Sequence, residues 1–265
     1  MDAPPTIAPP LHGRVLVEQH WRDLVFLHWR VAPERVAPYL PKGTRPDVID
    51  GATWVGLIPF VLADTRFPPL PALHRLGTFV EVNVRLYARD DLGRRGVVFR
   101  TLEAGRLLPV VAARIGFGLP YHWARASMTR RADAAGLELE FRSRRRGLRR
   151  PSTRIRARVG APVPRDAPDA ELAAFLTARW GYHEQHLGRT MWARNTHAPW
   201  PLLRAELLHL DDELLAASGF PELAARPPDS VLASSGVRTA FSRPRPLEAR
   251  SWALPAIRIR RPARA

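Results

Sequence analysis

The sequence predicts a mainly β domain of the α+β class, built on a curved sheet or barrel with a few peripheral helices. Three observations lead there. Short runs rich in β-branched and aromatic residues recur along the chain, bounded by Gly, Pro, Asn and Asp. The 27 prolines among 265 residues disfavour a helical bundle and favour short elements joined by loops. A hydrophobic content of 46% is enough to bury one sizeable core.

Residues 14–31 hold two strand-like runs, RVLVEQHW and DLVFLHWRV. APERVAPYLP, 32–41, reads as a short helix with Pro33 in its first turn and Pro41 stopping it. PDVIDGATWVGLIPFVLA reads as a hairpin that turns at Asp50-Gly51, followed by a proline-rich loop at 64–77. TFVEVNVRLYAR, 78–89, is a strand ending in the turn DDLG, and GVVFRTLEA, 96–104, pairs back with it. A brief helix near 107–115 precedes GFGLPYHWARASM. LELEFRS (137–143) and STRIRARV (152–159) form a hairpin with an arginine-rich connection. ELAAFLTARW, 171–180, is the best helix, with Pro168 and Asp169 as start signals. Strands recur near 189–197, 202–210, 237–241 and 252–259, with a small helix at 211–217. Residues 1–13 read as a proline-rich tail, 14–259 as one domain and 260–265 as a basic tail.

Without a cysteine, the chain has no disulfide, no thiolate metal site and no cysteine nucleophile. MDAPPTIAPP has neither the basic nor the apolar region of a signal peptide. The longest apolar run, WVGLIPFVLA, is too short to span a bilayer, so a soluble cytoplasmic protein is expected. The net charge of +16 attracts nucleic acid, acidic membranes and anionic metabolites alike and does not choose among them. Only one of the 41 basic residues, Lys42, is a lysine.

Three clusters have chemical potential. On FVEVNVRLY, alternation places Val80, Val82, Val84 and Leu86 on one face and Phe79, Glu81, Asn83, Arg85 and Tyr87 on the other. The first face is core. The second is either a solvated surface or, in a closed barrel, a ligand-reading wall, and both readings stand open. Residues 142–158 carry nine arginines and no acid, which raises phosphate contacts. Against that, Arg154, Arg156 and Arg158 alternate with Ile155, Ala157 and Val159, and Glu138 and Glu140 are in phase for cross-strand ion pairs. Nucleic-acid binding is therefore unfavoured. In YHEQHLG, 182–188, His183 and His186 share a face if the helix continues, but no third ligand accompanies them, and no metal is assigned. No G-x-S-x-G elbow, P-loop or complete dinucleotide fingerprint occurs, and no cofactor is expected.

HWRDLVFLHWRV, YLPKGTRPDVIDGATWVGLIPF, FVEVNVRLYA, FGLPYHWARASM, PWPLLRAEL and SSGV, in this order, resemble the YqjF-like family of bacterial proteins. The resemblance covers roughly residues 14–245. That family is placed in the acetoacetate-decarboxylase-like superfamily, which implies a cone-shaped, largely antiparallel β-barrel around a pocket. The decarboxylases carry a Phe-Pro-Lys-Lys-x-Ala stretch whose lysine forms a Schiff base, its neighbour lowering its pKa. LPYHWA keeps Pro120 and Ala124 at that position but replaces both lysines by Tyr121 and His122. An imine mechanism is not expected.

The resemblance also implies a pocket glutamate, matched by Glu81 in chain order. The candidate site is then Glu81 as general acid/base, Tyr121 as proton-transferring or hydrogen-bonding group, and Arg85 as carboxylate anchor. Asn83, Tyr87, His122 and Trp123 are further ligand-binding candidates. Tyr121 shares its face with Trp123 and Arg125, whereas His122 shares one with Ala124 and Met128, a set that resembles core packing. The expectation is a small organic, acidic ligand and a lyase- or hydrolase-type enzyme. The alternatives are a non-catalytic binding or sensor module and, third, nucleic-acid binding through 142–158. A homo-oligomer is allowed.

Overall fold

A computed structural model describes residues 5–11, 13–73, 77–107, 117–134 and 136–247. Among these, thirteen strands join in one sheet. They are β1 (Val15–Val31), β2 (Thr44–Pro46), β3 (Thr53–Arg66), β4 (Phe79–Asp90), β5 (Arg95–Ala104), β6 (Tyr121–Asp133) and β7 (Gly136–Arg145). Then follow β8 (Ser152–Pro162), β9 (Gly181–His186), β10 (Arg189–His197), β11 (Leu202–Asp212), β12 (Ser230–Ser242) and β13 (Arg245–Pro246). Helices α1 (Pro33–Val36), α2 (Ala170–Thr177) and α3 (Leu214–Ala217) lie between strands.

The sheet closes twice. β12, β1, β3, β4 and β5 are consecutive neighbours, and the outer edges of β5 and β12 both fork. β9 and β10 bridge one pair of forks; β6, β7, β8 and β11 bridge the other. A seven-strand ring and a nine-strand ring therefore share five strands. All named pairings are antiparallel except β5–β6 and β5–β9. Mainly antiparallel, closed and sparing in helix, this is the architecture the sequence predicts.

Shared strands are covered on both faces, which accounts for the unbroken apolar run of β3, buried from Thr53 to Ala63. On β4, Val82, Val84 and Leu86 pack with Phe141, Ile155 and Ala157 of the nine-strand ring. The opposite face of β4 looks into a cavity in the seven-strand ring. Alternation is broken at three points. Asp23 of β1 and Asp64 of β3 adopt φ of 51° and 53°, and a register shift adds one residue to β5 opposite Val84 and Arg85. Each break re-aims the strand, so that Trp21 and Leu24, Leu62 and Thr65, and Phe99 and Leu102 all face the cavity. Gly236 of β12 lies opposite Arg22, beside the first break. Its φ is 122°, and a Cβ there would sit 1.9 Å from the Trp21 carbonyl oxygen, so no other residue fits.

Several expectations change. The two runs in 14–31 are one strand, bent at Asp23. Asp50 and Gly51 do make a tight turn, with φ of 50° and 75° and a bridge between Ile49 and Ala52. The expected second arm is missing because β1 and β4 already occupy both edges of β3, and β2 pairs with β4 instead. YHEQH is strand β9, not helix: α2 ends at Thr177, and β9 pairs residue for residue with β10. A three-residue spacing on a strand puts His183 and His186 on opposite faces. The helix expected near 107–115 and the strand expected at 252–259 fall on residues 108–116 and 248–265, outside the described residues. Among the described residues no helix is long and apolar enough to cross a membrane.

The β7–β8 hairpin forms in the expected phase. Arg156 Nε donates to Glu138 at 2.8 Å, Arg154 Nε to Glu140 at 2.7 Å and Arg158 Nη1 to Glu206 at 3.2 Å. Ile155 and Ala157 are buried behind them.

Candidate active site

The seven-strand ring encloses a cavity of about 260 Å³. Its walls come from β1, β3, β4, β5, β9, β10 and β12, with α2 and the residues after it at one end. Aromatic groups dominate: Trp21 lies 5.6 Å from Phe60, stacks on Trp200 at 6.0 Å and approaches Phe241 at 5.8 Å.

Glu81, Asn83 and Arg85 of β4 are all part of this wall. The buried Glu81 accepts a hydrogen bond from Tyr121 Oη at 2.8 Å. Burial pushes its carboxyl up to about 7, against the pull of Tyr121 and the Asn83 amide toward the ionised form. Burial, and then the charge of Glu81, hold the Tyr121 phenol well above its ordinary value, so it stays a proton donor. Among the described residues Glu81 has no cationic partner in an ion pair. Asn83 Oδ1 is buried without a hydrogen-bond partner.

Arg85 is set by the end of α2. The last carbonyls of a helix have no partner within it and carry partial negative charge. Arg85 Nη2 donates to Leu176 O at 3.0 Å, and Tyr87 Oη donates to the same carbonyl at 3.0 Å. Arg85 Nε donates to Tyr87 Oη at 3.0 Å, and His28 Nε2 lies 2.6 Å from that oxygen. Since the carbonyl can only accept, Tyr87 gives it the phenolic proton and receives protons from Arg85 and His28. Among the described residues these bonds leave three of the five guanidinium N–H groups without a protein partner. Arg179 Nε caps Phe175 O at 2.7 Å, its Nη1 is paired with Asp47, and its guanidinium lies 4.2 Å from the Phe175 ring centre.

His197 lies between Trp180 and Trp200, at 4.5 and 4.8 Å. Its Nδ1 is 2.7 Å from Ala198 O, so that nitrogen carries the proton and Nε2 is an acceptor. Burial pulls this imidazole down to about 4, with the Arg85 charge acting in the same direction.

Of the sequence-predicted residues, Glu81, Asn83, Arg85 and Tyr121 meet in one cavity. Three do not. Tyr87 is fully buried behind Arg85 and is not part of the wall. His122 is half-buried and also outside the wall. Trp123 is 38% exposed, under the Arg146 guanidinium at 4.3 Å. The shared face of Tyr121 and Trp123 is divided because β5 ends at Ala104, opposite Trp123. Beyond that point β6 has no β5 partner and runs on paired with β7, away from the cavity, and Arg125 and Ser127 on the face of Trp123 are exposed. Sequence reasoning missed Trp21, Arg179, Asn195 and His197. The only available signal for the last two was the shared face of Asn195 and His197 on one strand.

The family model DUF2071, described as "Uncharacterized conserved protein", matches residues 18–238. The chain belongs to the DUF2071 family. "Uncharacterized protein YqjF" of Bacillus subtilis (strain 168) is 28% identical over 195 residues, 73% of this chain and 78% of that protein. An acetoacetate decarboxylase-like enzyme from Sphingomonas wittichii RW1 superposes with a TM-score of 0.61 at 13% identity, covering 89% of this chain and 95% of that one. The enduracididine biosynthesis enzyme MppR complexed with pyruvate gives 0.55 at 14% identity, covering 89% and 91%. This DUF2071 chain has the acetoacetate decarboxylase-like fold. Its single lysine, Lys42, is exposed and lies outside the cavity wall.

Proposed function

We propose that the cavity binds a small organic acid and carries out proton transfer on it, a lyase- or hydrolase-type reaction with no imine. One observation carries this reading: an unpaired buried carboxyl at about 7, bonded to a phenol, faces the same apolar cavity as the Arg85 guanidinium. The ligand carboxylate takes the free N–H groups of Arg85. Ionised Glu81 accepts a proton from a carbon next to a carbonyl or from an attacking water, and returns it to the product. As Glu81 takes up that proton it ceases to need the Tyr121 hydrogen bond, and the released Tyr121 O–H turns to the oxygen on which negative charge develops. The pyruvate held by MppR, on the same fold, supports a carboxylate ligand. Among the described residues no lysine lines the cavity, so the wall they form offers no side-chain amine for a Schiff base.

Deuterium exchange tests the reading. Incubated in heavy water with keto acids that it binds, the protein exchanges the C–H next to a carbonyl, and Glu81→Gln abolishes exchange while retaining binding. A second reading, a binding or sensor module, is favoured by the absence of a lysine or cysteine nucleophile from the wall. Tight binding with neither exchange nor product across keto and hydroxy acids selects it.

A further inference from the structure

The two charge-bearing groups of the cavity are held apart. Glu81 and Arg85 share one face of β4, four residues apart, which places their Cα atoms about 13 Å from each other along an extended strand. The Arg85 guanidinium is tied to Tyr87, two residues further along β4 from Glu81, and to Leu176 O, which Tyr87 also bonds. The two form no ion pair, and among the described residues neither has an oppositely charged partner. Arg179, the other guanidinium in the wall, is paired with Asp47, which leaves Arg85 as the anchor.

The wall between the poles is aromatic and continuous. Phe26 lies 5.7 Å beneath the Arg85 guanidinium. Trp200 meets Phe26 edge-on at 5.4 Å and stacks on Trp21 at 6.0 Å, and Trp21 reaches Phe60 at 5.6 Å. Phe60 is the cross-strand partner of Glu81. The rail thus runs from the carboxylate anchor to the acid–base group. A volume of about 260 Å³ is many times the roughly 10–15 Å³ that a single water needs on the same measure, far more than a three-carbon acid fills.

We propose that the substrate is an elongated, aromatic-bodied monocarboxylate whose reactive carbonyl lies at the end remote from its carboxylate. The carboxylate sits on Arg85, the ring lies along Phe26, Trp200 and Trp21, and the carbonyl end meets Glu81 and Tyr121. A short 2- or 3-oxo acid anchored at Arg85 leaves its carbonyl out of reach of Glu81. The inference rests on the acid-binding reading above and names its substrate class.

Tryptophan fluorescence titration with two sets of acids tests it. Pyruvate and acetoacetate form the short set; para-acetylphenylacetate and 3-(para-acetylphenyl)propionate form the long one. The long set is expected to bind at least about tenfold more tightly, and Arg85→Gln should remove most of that affinity. Leu102→Phe adds bulk opposite Asn83, between the poles, and should weaken the long set while sparing the short one. Short acids binding as tightly as long ones, in an Arg85-dependent way, overturn the substrate class and leave the acid-binding reading standing. Binding of neither set, or binding indifferent to Arg85, overturns both.

Discussion

Tyr121 donates its phenolic proton to Glu81 across 2.8 Å, joining β6 to β4 at a place where, among the described residues, the carboxyl forms no ion pair. The pair gives Glu81 a hydrogen bond that favours ionisation inside surroundings that oppose it. The opposition wins, and the carboxyl rests at about 7. A group so placed is half ionised near neutral pH, ready to give or take a proton.

Stability should report that shift. Glu81 has a folded value raised from 4.5 to about 7, so between those values the folded protein keeps a proton that the unfolded chain releases. Its contribution is therefore fully present below about 4.5 and is lost as pH rises through about 7, up to ~3 kcal/mol. Glu184, pushed to about 8 by burial, titrates in the same sense and masks the effect in a single curve. Urea unfolding of wild type and Glu81→Gln at matched pH isolates it. Relative to the variant, wild type loses stability from pH 4.5 to 7 and then levels off. A constant difference across that range would refute the assignment.

Tyr121→Phe removes the bond that favours ionised Glu81, and the carboxyl value should rise further. A hydrogen bond to a charged group is worth roughly 1.5–3 kcal/mol, which corresponds to about one to two pH units. The pH midpoint of the Glu81-dependent deuterium exchange should move up by that amount. An unchanged midpoint would mean that Tyr121 does not act on Glu81.

Tyr87→Phe acts one step back from the ligand. The hydroxyl lost here receives Arg85 Nε and His28 Nε2 and donates to Leu176 O. Leaving those buried groups short of a partner should cost about 1–3 kcal/mol of stability. Freed from its tether, Arg85 should hold carboxylates more weakly, so KM rises while kcat changes little. If affinity for carboxylates is unaltered, Tyr87 is a packing residue only.

Alternation on FVEVNVRLY made β4 legible because both of its faces are in use: valines fill one core while Glu81, Asn83 and Arg85 line the cavity. The hairpin at 137–159 was legible for a related reason, since its glutamates and arginines fall in phase across two strands. The resemblance then indicated that the polar face of β4 looks inward. What stayed hidden depends on distant geometry. Asp23, Asp64 and the extra residue in β5 shift the parity of their strands, and no local pattern announces such breaks. The end of β5 at Ala104 separates Tyr121 from Trp123 in the same way. His197 was invisible because its environment, Trp180 and Trp200, comes from segments flanking β10 rather than from the alternation of that strand.

Arg145 is the arginine of the 142–158 cluster whose role is internal. Its Nη2 lies 2.5 Å from Glu103 and 2.8 Å from Thr101, and its Nε contacts both carboxylate oxygens of Glu103 at 3.1 Å. Glu103 is completely buried, and the Arg145 side chain is 16% exposed. An ion pair in such a place yields little net stability, because desolvation offsets attraction, but removal of one partner strands the other charge. Arg145→Met should therefore cost about 3–5 kcal/mol, and each kcal/mol lowers Tm by roughly 2–4 °C in a domain of this size. Adding Glu103→Leu should restore most of the loss, since the stranded charge is then gone. The surface pair of Arg158 and Glu206 serves as the control, with an expected effect under about 1 kcal/mol. Thermal melts of the two single variants and the double variant decide the point. A double variant no more stable than Arg145→Met alone would show that Arg145 acts through packing rather than by compensating Glu103.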